Sequence, residues 1–155
     1  MDRFDRNLED GRLDADRGVP GIRIIVCGGR DFRNRKFMYD ALDLIRRQAI
    51  AVGHPIILVI HGGARGADEL AGEWANDYGI NVEIVKPDWS VGKHAGFLRN
   101  QFMLDHFKPH AVVAFPGGNG TADMVRRARK FRDPVHGQPI QVLVFEWSDR
   151  AEPAP

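Results

Sequence analysis

Cysteine is nearly absent from this 155-residue chain, with Cys27 its one thiol. That count excludes an intramolecular disulfide and any cysteine-based metal cluster, and it fits a reducing compartment. An excess of charge of either sign is missing as well. Lys and Arg total 22 against 21 Asp and Glu, a formal charge of +1, so no global field draws nucleic acid or a membrane surface, although local patches remain open to that role. No apolar stretch approaches the roughly 20 residues of a membrane-spanning helix, and the charged first residues are unlike a signal peptide. A cytoplasmic location is the expectation.

Several catalytic signatures are missing too. There is no P-loop and no G-x-S-x-G elbow, and the glycine spacing is not that of the dinucleotide fingerprint. The six histidines make no recognisable zinc set with the acids. A metal is therefore not expected, and no cofactor is required.

What the chain does have is short apolar stretches alternating with helical periodicity. Ile22 to Val26, Ile56 to Ile60, Asn81 to Val85, Ala111 to Phe115 and Ile140 to Phe145 read as five strands. Helical spacing links Phe37, Met38, Ala41, Leu42, Leu44, Ile45 and Ala49 between about Asn34 and Val52. It returns through Leu70, Ala71, Trp74, Ala75 and Tyr78 before Gly79, through Leu98, Phe102 and Met103 between Ala95 and Phe107, and through Met124, Val125 and Ala128. This alternation predicts an α/β, Rossmann-like three-layer sandwich around a central, mostly parallel five-stranded sheet. Residues 21–147 form one expected domain. Residues 1–20, rich in Asp and Arg, read as a disordered arm, and 148–155 as a frayed tail.

Glycine punctuates the strand ends. Cys27-Gly28-Gly29-Arg30-Asp31 follows the first strand, His61-Gly62-Gly63-Ala64-Arg65-Gly66 the second, and Pro116-Gly117-Gly118-Asn119-Gly120-Thr121 the fourth. In an open α/β sheet these turns share the carboxyl edge of the strands, where ligands bind. Glycine lets backbone approach a ligand without a Cβ, and Thr121, opening the next helix, is a candidate cap or phosphate contact. A strand, glycines and a helix N-terminus together present backbone N–H groups to a phosphate. The predicted ligand is a nucleotide or nucleotide-derived molecule.

Side chains near these turns are the candidate chemistry. Arg30, Arg65 and Arg99 offer guanidinium forks to phosphate or ribose oxygens, each with a solvated surface role as its plainer alternative. Asn100 stands beside Arg99. Trp89 is placed to stack on a base or to cover the sheet edge. Lys93 is placed to meet a phosphate, and Asp68 and Asp123 to position ribose or water or to complement a helix N-terminus. Arg126 to Arg132 (RRARKFR) is a basic stretch that reads as a solvated face or a phosphate-backbone patch.

PGGNGT resembles the PGGxGT signature of the LOG, or lysine-decarboxylase-like, proteins of the SLOG superfamily, which cleave the N-glycosidic bond of nucleoside 5′-monophosphates. GGARGAD…A..WA, P.W..GK.AG..RN..M and AFPGGNGTAD together resemble the YspA-type, YpsA-related SLOG family over Ile22 to about Phe145. HGGARGAD also resembles the loop of the DprA proteins, SLOG members that bind single-stranded DNA. The resemblance implies a ligand-binding sensor or an N-glycosidic hydrolase, with Arg99 on a helix like the one that supplies an active-site arginine. It further implies a homo-oligomer, a dimer first, with a single-stranded nucleic-acid module as the alternative. One position departs from LOG: the glutamate three residues after the threonine is Met124 here. The neighbouring Asp123 is turned by about 100° around the helix, so it does not simply inherit that role.

Overall fold

The five apolar stretches do become strands, and what orders them is the burial that each can supply. In the computed structural model, which describes residues 21–146, β1 (Ile22–Cys27) has no side chain on its inner positions exposed and lies at the centre of the sheet. β2 (Ile56–His61) and β4 (Ala111–Ala114) flank it, while β3 (Asn81–Ile84) and β5 (Gln141–Val144), more polar and more exposed, close the edges. The order is β3-β2-β1-β4-β5, and every pairing is parallel. All-parallel sheets need cover on both faces, which the helices provide.

Four helices connect these strands: α1 (Arg35–Ala51), α2 (Ala67–Asp77), α3 (Ala95–Phe107) and α4 (Asn119–Lys130). One core joins α1 and α2 to the sheet through Met38, Leu42 and Trp74; the other joins α3 and α4 through Met103, Leu104 and Met124. Trp74 is fully buried, and its indole Nε1 donates to Asp43 Oδ1 at 2.9 Å, so the largest side chain leaves no polar atom stranded. The α/β, Rossmann-like reading of the fold thus holds, with the sheet entirely parallel rather than mostly so.

Some local expectations shift. Leu98 and Phe102 lie on the outer face of α3, because Met103 and Leu104 take the inner one; the Phe102 ring instead stacks on His106 at 4.9 Å. Leu44 likewise faces outward. The stretch 88–94 is not wholly a loop: Trp89–Val91 makes a 3₁₀ turn capped by Asp88, which accepts from Ser90 N at 3.1 Å. α4 begins at Asn119 with Gly118 as its N-cap, so Thr121 sits within the first turn rather than opening the helix. The expected arm at 1–20 and tail at 148–155, with Trp147, lie outside the described residues. No helix among the described residues is long and apolar enough to cross a membrane.

Candidate functional site

The order of strands switches between β1 and β4, and the turns leaving β1, β2 and β4 meet above that point. Gly29 joins all three. Its N–H donates to the Pro116 carbonyl at 2.8 Å, and its own carbonyl accepts from Ala67 N at 3.0 Å and Phe32 N at 3.2 Å. Gly66, at φ +79°, is required beside it, because a Cβ there would run into the Gly29 and Arg30 carbonyls. Gly66 therefore serves the brace between turns and does not face the ligand space.

Between the turns lies a cleft of about 850 Å³. Gly28, Gly29, Arg30, Gly62, Gly63, Trp89, Lys93, Arg99, Asn100 and Asp68 line it, as does the whole of Pro116 to Thr121. Arg65 does not: its side chain turns to Asp31, 3.3 Å away and exposed. Asp123 does not either. It is buried between α3 and α4, where it accepts from Asn100 Nδ2 at 3.0 Å, Arg127 Nε at 2.8 Å and Arg126 Nη2 at 3.1 Å. A carboxylate with those partners is a tie between helices, and Met124 lines the cleft in its stead.

The two glycine turns flanking β1 differ in what their amides do. At the β2 turn, Gly63 N donates to His61 Nδ1 at 3.0 Å and Ala64 N to Asp68 Oδ2 at 3.1 Å. These N–H groups are committed inside the protein, so Gly62 and Gly63 border the ligand space without a free amide pair to cradle a phosphate. At the β4 turn, among the described residues, the N–H groups of Gly117, Gly118, Asn119, Gly120 and Thr121 make no hydrogen bond. Five successive N–H groups without a partner among the described residues thus stand at the N-terminus of a three-turn helix, on residues that line the cleft.

Charge gathers around this opening. Arg30, Lys86, Lys93 and Arg99 line it against Asp31 and Asp68. Arg99 is anchored: Nη1 donates to the carbonyls of Gly62 at 3.1 Å and Val85 at 2.9 Å, and Nε to Asn100 Oδ1 at 3.1 Å. Burial pulls its guanidinium below the ordinary arginine value, while Asp68 opposes the shift. Burial is also the main influence on Asp68, pushing its carboxyl up to about 6 against the pull of the Ala64 N–H, Arg99 and the Gly62 N–H. His61 is lowered by burial and then by Arg99, and its Nδ1 accepts the Gly63 N–H. Burial raises the Cys27 thiol, which lines the cleft, to about 12.

Lys86 and Phe97 line the cleft but did not emerge from the sequence. Lys86 follows β3 by two residues, just before Pro87, on the same carboxyl edge. Phe97 gave no signal, lying one position from the apolar spacing of its helix. The basic stretch RRARKFR does not make one face: Arg127 is held by Asp123 and by Gln101 Oε1 at 3.0 Å. Arg126, Arg129 and Lys130 line a separate cleft on the other side of α4.

Comparison with known proteins agrees with this architecture. The model of the family described as YspA, cpYpsA-related SLOG matches residues 22–92. The Gene 61 protein of Mycobacterium phage D29 is 38% identical over 122 residues, spanning 73% of this chain and 93% of the phage protein. The X-ray structure of TM1055, a Northeast Structural Genomics Consortium target (VT76), superposes with a TM-score of 0.50 at 17% identity, covering 79% of this chain and 92% of that one. At that identity the likeness speaks for the fold alone.

Proposed function

Since this chain belongs to the YspA, cpYpsA-related SLOG family, we propose that its β1/β4 cleft binds a nucleotide or nucleotide-derived ligand, with a phosphate at the N-terminus of α4. The observation that carries this reading is the row of five uncommitted amides from Gly117 to Thr121. Arg99, fixed by two carbonyls, supplies positive charge deeper in the cleft, and Arg30, Lys86 and Lys93 supply it at the rim. Trp89, 57% exposed at the mouth, offers a ring face for the base. The cleft volume is within the range of small-molecule sites.

A calorimetric series with adenosine, AMP and ribose 5-phosphate tests it on the full chain. AMP and ribose 5-phosphate bind and adenosine does not, if the phosphate anchors the ligand. Adenosine binding as tightly as AMP overturns the assignment of the phosphate to α4.

One feature favours a second reading, N-glycosidic hydrolysis. Asp68 is a buried carboxyl on the cleft wall with a proton affinity near neutrality, as a general base requires. In that reaction Asp68 accepts a proton from water as the water oxygen bonds to C1′. The C1′–N bond breaks with its electron pair going to the base, which takes a proton from solvent, leaving free base and ribose 5-phosphate. Chromatography after incubation with nucleoside monophosphates reads the free base. Its absence in the wild type, with binding retained, leaves a sensor; its retention in Asp68→Asn removes Asp68 from the chemistry.

A further inference from the structure

The second cleft is the feature that the nucleotide reading leaves unused. It holds about 620 Å³ between α4 and the carboxyl end of β5. Its floor is apolar, with Val125, the part-exposed Val144 and Phe145, whose ring stacks on Phe115 at 5.4 Å and 13°. Its rim is basic: among the described residues, Arg126, Arg129 and Lys130 line it with one carboxylate, Glu146. Arg126 gives one Nη2 bond to Asp123 and keeps a side chain 62% exposed. Neither Arg129 nor Lys130 donates a side-chain hydrogen bond to any described residue. In a chain of net charge +1, three cations over an apolar floor, one of them (Arg126) paired with Asp123, give this cleft a local positive character.

The two clefts share a wall. Pro116, Gly117 and Thr121 line both, so only the first turn of α4 separates them. On the proposed reading, a mononucleotide with its phosphate at α4 would end at that turn. We propose that the second cleft takes the adjoining unit of a phosphodiester-linked ligand, a dinucleotide or the end of a short single strand. The linking phosphate lies at the shared turn, and the next phosphate meets Arg129 and Lys130. This rests on the assignment of the first phosphate to α4. The apolar floor suits the planar face of a base and the basic rim its phosphate, a pairing that also suits single-strand recognition.

The test uses AMP, ApA and 5′-phosphorylated pApA as probes against the wild-type chain and an Arg129→Ala/Lys130→Ala double variant, by calorimetry at two salt concentrations. Both substituted side chains are exposed, so the fold is unaffected, which the melting temperature checks. The expected result is pApA binding about tenfold or more tighter than AMP, with a steeper salt dependence. The double variant loses that gain and keeps its affinity for AMP. Equal binding of pApA and AMP overturns the second cleft as a nucleotide subsite, and so does a gain that survives the double substitution. Absence of AMP binding while pApA binds and depends on Arg129 and Lys130 supports the second cleft and counts against the mononucleotide reading alone.

Discussion

Asn100 and Asp123, 23 residues apart, are joined by a buried hydrogen bond of 3.0 Å that ties α3, beside Arg99, to the first turns of α4, where the phosphate is proposed to bind. Asn100 Nδ2 also donates to the Gly120 carbonyl at 3.2 Å, while its Oδ1 accepts from Arg99 Nε at 3.1 Å. One amide thus touches the guanidinium, the cradle and the carboxylate that ties the helices. Asp123→Ala removes the acceptor of three donors. Because Arg126 and Arg127 retain access to water, the cost is that of lost charged hydrogen bonds, about 2–3 kcal/mol in urea denaturation, rather than that of a stranded buried ion. Nucleotide affinity falls with it, since Asn100 loses its orientation. Unchanged stability would show the tie to be incidental.

Two neighbouring glycines separate folding from binding. A Cβ on Gly117 would collide with Thr121 Oγ1 and come within 2.7 Å of Gly29 N, whereas one on Gly118 meets nothing within 4 Å. Gly117→Ala is expected to cost about 1–3 kcal/mol of stability, the usual range for overpacking. Gly118→Ala leaves the melting temperature within about a degree or two of wild type, a surface-level effect, and weakens AMP binding by crowding the cradle. Equal melting temperatures for the two variants would refute the packing difference.

Asp68 gives stability a pH signature. Its folded value near 6 lies above the ordinary value of 3.8, so the folded protein holds this proton more tightly than the unfolded chain does. The associated stability is complete below about pH 4 and is lost as pH rises toward 6, amounting to roughly 2–3 kcal/mol. Denaturant midpoints for wild type minus Asp68→Asn, taken from pH 4 to 7, isolate the group; a difference that stays flat across this window contradicts the burial argument.

Cys27 is expected to resist alkylation. With its thiol raised to about 12 from 9.0, the thiolate fraction at pH 8 falls by about three orders of magnitude. Iodoacetamide labelling followed by mass spectrometry is therefore slow in the native chain and rapid in urea. Comparable rates in both would mean that the thiol is not desolvated.

Much of the fold was legible because the strands are short, β-branched and separated by glycine, and the helices carry their own period. The β4 turn was legible as well in its placement, a strand end, glycines and a helix start, because that depends on local backbone geometry. Legibility failed where the outcome depended on a distant partner. Arg65 resembles a ligand contact until Asp31 takes it, and Asp123 resembles a site acid until Asn100 and Arg127 enclose it. The β2 turn reads as a phosphate cradle by composition, yet His61 and Asp68 claim its amides. Leu98 and Phe102 have helical spacing, but spacing does not say which stripe the sheet will cover.

The bonds of Gly29 to Pro116, Ala67 and Phe32 bear on rates as well as on shape. Turns already tied to one another have little conformational freedom left to surrender, so the entropic charge for ordering them falls on folding and not on the encounter with a ligand. Nucleotide capture should then be a single collision-limited step, its observed rate rising linearly with concentration and showing no plateau from a slow rearrangement.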